Sequence, residues 1–316
     1  MDGEARVVLR ARGRATTALL ALRGRSPGAL LVSAETALRV WQPATCAPVR
    51  VLDGHKYGVW SLAADPTGQL LLSAGLDHTA RLWDLHAGAC TRVLETDGAL
   101  AVAWDAAGRR YAVGSIRNAI HVFDAASGRF ERALEGHAAA LNALAAHPDP
   151  DADRFASASD DDTVRLWRWS AGGCLRVLLG HSSNVMALAA SARWLLSGSW
   201  DQTVRVWDWD GACARVLDRF AGRLVDLAWR GARMVTLDAS GDGCLRVWDT
   251  HGDPAAWSCA GALRAAPSAR PGLSEWYGVA VLGDGRVAGA TAGALALHAL
   301  RAPRERRGIR RPAARV

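Results

Sequence analysis

An aromatic residue closing a short alternating segment returns at a near-constant interval along this chain, and that period limits the folds open to it. Trp41, Trp83, Phe123, Trp167, Trp207 and Trp248 are separated by 42, 40, 44, 40 and 41 residues. The segment before each, such as Thr203-Val-Arg-Val-Trp207, alternates with the period of a strand. A unit of this size cannot bury its own apolar face, so successive copies must stack on one another. The length of 316 residues would by itself allow two domains, but a ring of equal units overrides that prior.

The fullest copy is 179–208, L-G-H-S-S-N-V-M-A-L-A-A-S-A-R-W-L-L-S-G-S-W-D-Q-T-V-R-V-W-D. It opens on Gly180-His181 and closes on Trp207-Asp208, with three apolar segments between polar turns. In these residues the chain closely resembles the WD40-repeat family, and the resemblance runs from about residue 5 to 300. It implies an all-β, seven-bladed WD40 β-propeller. The inner, second and third strands are expected at 18–22, 30–33 and 38–41; 59–64, 70–73 and 80–83; 100–104, 110–113 and 119–123; 141–146, 154–157 and 164–167; 185–190, 194–197 and 204–207; 224–229, 233–236 and 245–248; and 276–282, 287–290 and 295–298.

Outer strands repeat as well, as Arg50-Val-Leu, Arg92-Val-Leu, Arg132-Ala-Leu, Arg176-Val-Leu and Arg215-Val-Leu. No such copy follows the seventh unit, but Arg6-Val-Val-Leu9 stands at the other end of the chain. The N-terminal strand is therefore expected to complete the last blade and close the ring, which removes an open sheet edge. Residues 1–300 make the propeller on this reading. Residues 264–275 are an exposed loop, and 301–316 a basic, disordered tail.

The family resemblance brings a buried network of His, Ser or Thr, Asp and Trp in each blade. Complete sets are His55, Ser73, Asp77, Trp83; His137, Ser157, Asp161, Trp167; and His181, Ser197, Asp201, Trp207. Four blades depart from it. Blade 1 has Glu35 at the Asp place and Arg12 near the His place. Blade 3 has Val113, Arg117 and Phe123. Blade 6 keeps Asp242 and Trp248 but has Phe220 near the His place, and blade 7 keeps none of the set. Ser, His and Asp together invite a hydrolase reading, but the set recurs with the same Trp and no G-x-S-x-G elbow is present. Asp149-Pro-Asp151-Ala-Asp153 opens like a calcium loop, yet Arg154 stands where glycine is needed and no Glu closes it, so it reads as a turn. No catalytic residue, metal site or cofactor is expected.

Half the residues are apolar, but no run is long enough to span a membrane as a helix. Four of the six cysteines, Cys46, Cys90, Cys174 and Cys213, fall one per blade, which suits buried or half-buried free thiols in a reducing compartment, cytoplasmic or nuclear. The N-terminal arginines Arg6, Arg10, Arg12 and Arg14 are needed for strands rather than for a transit peptide. Of the net charge of +7, most comes from Arg301, Arg304, Arg306, Arg307, Arg310, Arg311 and Arg315, set against Glu305. Such a tail suits weak nucleic-acid or acidic-surface contact.

What remains is surface. In the family, partners dock on the face formed by the outer-to-inner and second-to-third strand turns. Carried over by position, that face holds Trp60, Leu76, Leu100, Arg117, Asn142, Asp160, Asn184, Met186, Trp200, Arg223 and Tyr277, with Asp160 expected to be solvated. Trp, Tyr, Met and Arg are the residue types that anchor interfaces. The function expected is a non-enzymatic scaffold for protein–protein interaction within a larger complex. A ubiquitin-ligase substrate receptor is disfavoured: the ring is expected to start at once, without room for an F-box, and the W-D sites read W-D-L-H, W-D-W-D and W-D-T-H. An RNA-processing or ribosome-assembly factor using the Arg tail is the third reading.

Overall fold

The computed structural model describes residues 7–9, 18–22, 30–45, 47–218, 220–239, 244–264, 276–282, 286–291 and 294–298. Their strands form seven four-stranded antiparallel sheets. The sheet built from the fullest repeat runs Val185–Ala190, Trp194–Ser199, Val204–Asp208 and Cys213–Leu217 from inside to outside. In another, Trp276–Val281, Val287–Thr291 and Ala294–His298 are flanked by Val7–Leu9. There Val7 pairs with Leu297, Val8 with Ala296 and Leu9 with Leu295. Each inner strand abuts the inner strand of the next sheet, and Trp276–Val281 abuts Ala18–Ala21. The fold is an all-β propeller.

Burial explains the arrangement. The apolar alternate positions of one sheet pack against the third-strand Trp of the next. Leu38, Val40 and Leu52 pack with Leu71 and Trp83, and Leu166 and Leu178 with Leu195 and Trp207. Trp83 and Trp167 are fully enclosed; each large apolar side chain so buried contributes roughly 1.5–3 kcal/mol. Arginines reach across the seams to the third-to-outer turn of the following blade. Arg132 Nη1 donates to the Trp169 carbonyl at 3.1 Å, Arg154 Nη1 to that of Trp209 at 2.8 Å, and Arg215 Nη1 to that of Trp257 at 3.1 Å.

Two expectations are corrected here. The sixth sheet has an outer strand without the Arg-Val-Leu sequence, Ser258–Arg264, paired along Cys244–Asp249. It follows a short 3-10 turn, Pro254–Ala256, capped by the Asp253 carboxylate. Arg264 thus belongs to a strand rather than to the loop, and 265–275 lie outside the described residues. Second, Cys174 and Cys213 are exposed and Cys90 is half-buried, because an outer strand turns alternate side chains to solvent. Cys46 lies outside the described residues.

Six inner strands share an irregularity. Their pairing with the second strand skips one residue near the start, between Val59 and Ser61, Ala99 and Ala101, Leu141 and Ala143, Val185 and Ala187, Leu224 and Asp226, and Trp276 and Gly278. The skipped residues are Trp60, Leu100, Asn142, Met186, Val225 and Tyr277. A bulge of this kind leaves one residue out of the ladder and re-aims its side chain.

Candidate functional site

In the three complete blades the four network residues meet. Trp83 Nε1 donates to Ser73 Oγ at 2.9 Å, Ser73 Oγ lies 2.7 Å from His55 Nε2, and His55 Nδ1 lies 2.9 Å from Asp77 Oδ2. The corresponding distances are 2.8, 2.7 and 2.8 Å for Trp167, Ser157, His137 and Asp161. For Trp207, Ser197, His181 and Asp201 they are 2.8, 2.7 and 2.7 Å. With Nδ1–H donating to the carboxylate, each imidazole can stay neutral and accept the serine proton at Nε2. Burial lowers the His55 and His137 pKa values, outweighing the pull of the adjacent Asp. Burial would raise Asp77, but hydrogen bonds from Thr79, the Lys56 amide and His55 hold it at about 2. Asp161 is held at about 2 in the same way by Thr163, the Ala138 amide and His137.

This relay has the groups of a hydrolytic triad without its access. Ser73, Ser157 and Ser197 are fully buried, and each Oγ already accepts an indole N–H. The Gly-His turn is equally confined. Gly180 has φ of 140°, and a Cβ there would meet Arg205 Nη1 at 2.5 Å.

The departing blades keep fragments. In blade 1, Trp41 Nε1 donates to Ser33 Oγ at 2.8 Å, while buried Glu35 pairs with Arg39 at 3.3 Å. In blade 6, Trp248 Nε1 donates to Thr236 Oγ1 at 3.0 Å, and Phe220 packs on Trp248 at the missing His place. Arg246 lies over Phe220 and pairs with Asp238. Blade 3 replaces the polar set with rings: Tyr111 stacks on Phe123 at 5.3 Å and tilts against Trp104 at 5.2 Å. Arg12 and Asp242 lie outside the described residues. The Asp149–Asp153 segment is a turn whose carboxylates are spent separately, Asp149 on the Asp151 amide and Asp153 on that of Ser170. Among the described residues no group of three or more His, Cys, Asp or Glu gathers as a metal site.

The residues assigned to the docking face divide into an apolar collar and a polar sector. Trp60 and Leu76 are 49% and 42% exposed. Trp60, Leu100, Met186 and Trp200 are among the residues lining a central cavity of about 620 Å³ between the inner strands. Trp200 is half-buried beneath the Arg223 guanidinium, 4.7 Å from its ring. Arg117 projects into solvent near Asp97, 3.9 Å away. Tyr277 holds a bulge position on the backbone, and its side chain lies outside what is described, as do the tail arginines Arg301, Arg304, Arg306, Arg307, Arg310 and Arg311.

The expectation of a solvated Asp160 is corrected. Its Oδ1 accepts from Asn142 Nδ2 at 2.7 Å and from Asn184 Nδ2 at 2.6 Å, which ties the turns of two neighbouring blades together. Asn142 Nδ2 also reaches the Val185 carbonyl at 3.1 Å. Asn142 and Asn184 thus have an inter-blade role as well as a place on the face.

Sequence reading missed Ile116 and Tyr57, both exposed on this face, and Val225 and Asp226 in the cavity wall. Ile116 precedes the Arg117 place as Leu76 precedes Asp77, so the rule that found Leu76 also reaches it. Asp226 Oδ2 accepts the Val279 amide at 2.8 Å across to the next inner strand, as Ser61 Oγ accepts that of Val102 at 3.2 Å. Burial raises the Asp226 pKa to about 7 against the pull of the Val279 and Leu227 amides.

Comparison with known proteins agrees with this geometry. The family model described as "WD domain, G-beta repeat" matches residues 46–84, 128–168 and 172–208. The chain is 35% identical over 199 residues to Nuclear distribution protein PAC1-2 of Uncinocarpus reesii, covering 61% of this chain and 39% of that one. It is 27% identical over 224 residues to Autophagy-related protein 16 of Arabidopsis thaliana, covering 66% and 41%. A solved structure, "Structure of U3-55K", superposes with a TM-score of 0.81 at 16% identity over 94% of this chain and 99% of that one, a likeness of fold. The matched stretches are WD40 repeats, set in a β-propeller fold. The chain spans 39–56% of the length of the nuclear distribution and autophagy relatives.

Proposed function

We propose that this protein is a non-catalytic WD-repeat scaffold, one subunit of a larger assembly, that holds a protein partner on the face bearing Trp60, Leu76, Ile116, Met186 and Trp200. The observation carrying this is the collar itself. Bulges in the inner strands of blades 2, 3 and 5 set Trp60, Leu100 and Met186 on the lining of the central cavity, and adjacent turns leave Leu76 and Ile116 exposed. Large exposed aromatic and aliphatic groups grouped on one face are the usual mark of an interaction site. The enclosed Ser Oγ atoms support a structural role for the His–Asp relays. The platform is proposed as a closed seven-bladed ring, a reading supported by the pairing of Val7–Leu9 with Leu295–Leu297. The relatives' names support a cytoplasmic or nuclear setting.

A second reading, ribosome assembly, draws on 45% identity over 64 residues to "Ribosome biogenesis protein BOP1 homolog" of Monosiga brevicollis, 8% of that protein. Residues 301–316 would then supply salt-sensitive contact with phosphates. One experiment separates the two. The double variant Trp60→Asp, Met186→Asp and a deletion of 301–316 are each used to capture partners at low and high salt. The scaffold reading expects the double variant to lose the main protein partner and the deletion to lose only salt-sensitive RNA. The reverse pattern rejects it.

A further inference from the structure

The polar sector interrupting the collar has an unusual inventory of hydrogen-bonding groups. Asp160 Oδ1 is shared by two amides. A carboxylate offers no proton, so both Asn142 and Asn184 must turn their NH2 groups toward it. Their carbonyl oxygens then face elsewhere and take no hydrogen bond among the described residues, and neither does Asp160 Oδ2. Three acceptors, one carrying the negative charge, meet where two blades adjoin. Asn142 spends its second N–H on Val185, which leaves one N–H of Asn184 as the surplus donor of the cluster. Arg223, a cation of the same face, is laid over the Trp200 ring.

Resting on the docking-face reading, we propose that this sector receives an arginine side chain of the partner, its guanidinium at Asp160 and its aliphatic stem against Met186 and Trp60. The chemistry favours arginine for two reasons. A planar fork of five donors can meet several acceptors at once, whereas a lysine ammonium meets them as a point. The methylene stem suits the apolar collar, while the head replaces solvent at an acceptor cluster that few neutral groups satisfy. The occupant is thus an apolar peptide segment carrying one arginine.

The test uses the full chain and short fluorescein-labelled peptides of alanine and leucine with one central arginine, citrulline or lysine, read by fluorescence anisotropy. Citrulline keeps the shape and loses the charge. Wild type is expected to bind the arginine peptide at least about tenfold more tightly than the citrulline peptide, the worth of one charge-assisted hydrogen bond. Asp160→Asn should bring that ratio close to one, with a cooperative thermal melt confirming the fold. If Asp160→Asn fails to fold, Asn184→Ala takes its place and should reduce the ratio. Equal binding of arginine and citrulline peptides by wild type, an unchanged ratio in a folded variant, or no peptide binding at all would overturn the proposal. Trp60→Asp with Met186→Asp separates it from the reading it rests on. If that variant loses both peptides while wild type binds them equally, the arginine assignment falls and the docking face stands. If it binds the arginine peptide as wild type does, the face assignment falls with it.

Discussion

The Arg286 guanidinium donates to the Pro43 carbonyl at 3.2 Å, joining residues 243 positions apart in the chain. It does at this seam what Arg154 does toward Trp209 between two consecutive repeats. The blade that supplies Arg286 takes Val7–Leu9 as its outer strand. Deleting residues 1–12 should therefore expose the edge of Ala294–His298. A loss of about 2–3 kcal/mol is expected, near 1 kcal/mol for each ladder hydrogen bond, together with aggregation through the bare edge. Thermal melts with light scattering check this; an unchanged melting temperature and solubility would refute it.

Asp201 and Asp160 differ in the number of donors they satisfy. Asp201 accepts from His181, the Ser182 amide and both the amide and hydroxyl of Thr203. Asp160 accepts from two asparagines. Asp201→Ala should cost about 3 kcal/mol and Asp160→Ala about 1 kcal/mol. Urea titrations read the two midpoints, and equal shifts would contradict this ranking.

Acid should act on the fold through two opposing groups. Asp77 and Asp161, held at about 2 against an ordinary 3.8, stabilise the native state above pH 4 and lose that contribution as pH falls toward 2. His55 and His137, with lowered pKa values, take up protons less readily folded than unfolded, so stability also declines as pH drops below 6.5. Asp226, raised to about 7, works the other way: the native state binds its proton first, so stability rises from pH 7 down to 4. Asp226→Asn should remove that compensating rise and steepen the fall between pH 7 and 5. Melting temperature against pH for both proteins decides it; parallel curves would rule out a titrating Asp226.

Arg132 holds Glu131 at 3.0 Å and the Trp169 carbonyl of the next blade at 3.1 Å with separate guanidinium nitrogens. A lysine can reach one but not both in this fixed geometry. Arg132→Lys should lose about 1 kcal/mol. A denaturation midpoint equal to wild type would show the seam bond to be dispensable.

Much of this architecture was legible because the repeat places the same residue type at the same turn. His181, Ser197, Asp201 and Trp207 lie too far apart in sequence to suggest contact singly, but three copies of the same set in the same order do. The outer strand Ser258–Arg264 was not legible, because it replaces Arg-Val-Leu with small residues and leans on its hydrogen-bond ladder with Cys244–Asp249. Asp160 was misread for a different reason. Its partners, Asn142 and Asn184, lie 18 and 24 residues away, one in an inner strand and one in the turn before the next, and the repeat has no fixed polar residue at either place. Exposure of Cys174 and Cys213 likewise depends on which side of an outer strand meets solvent.

The residue skipped in six of the inner strands has a consequence for how such a surface can change. Trp60, Leu100, Asn142, Met186 and Val225 have no cross-strand partner on the second strand of their own sheet. Their identities therefore contribute little to strand register, which the flanking pairs set. With the exception of Asn142, whose amide joins two blades, and Val225, which packs against the core, these positions should tolerate exchange with small effect on strand pairing. The backbone acts as a socket and the side chains as removable keys, so one scaffold can be refitted to new partners a single blade at a time.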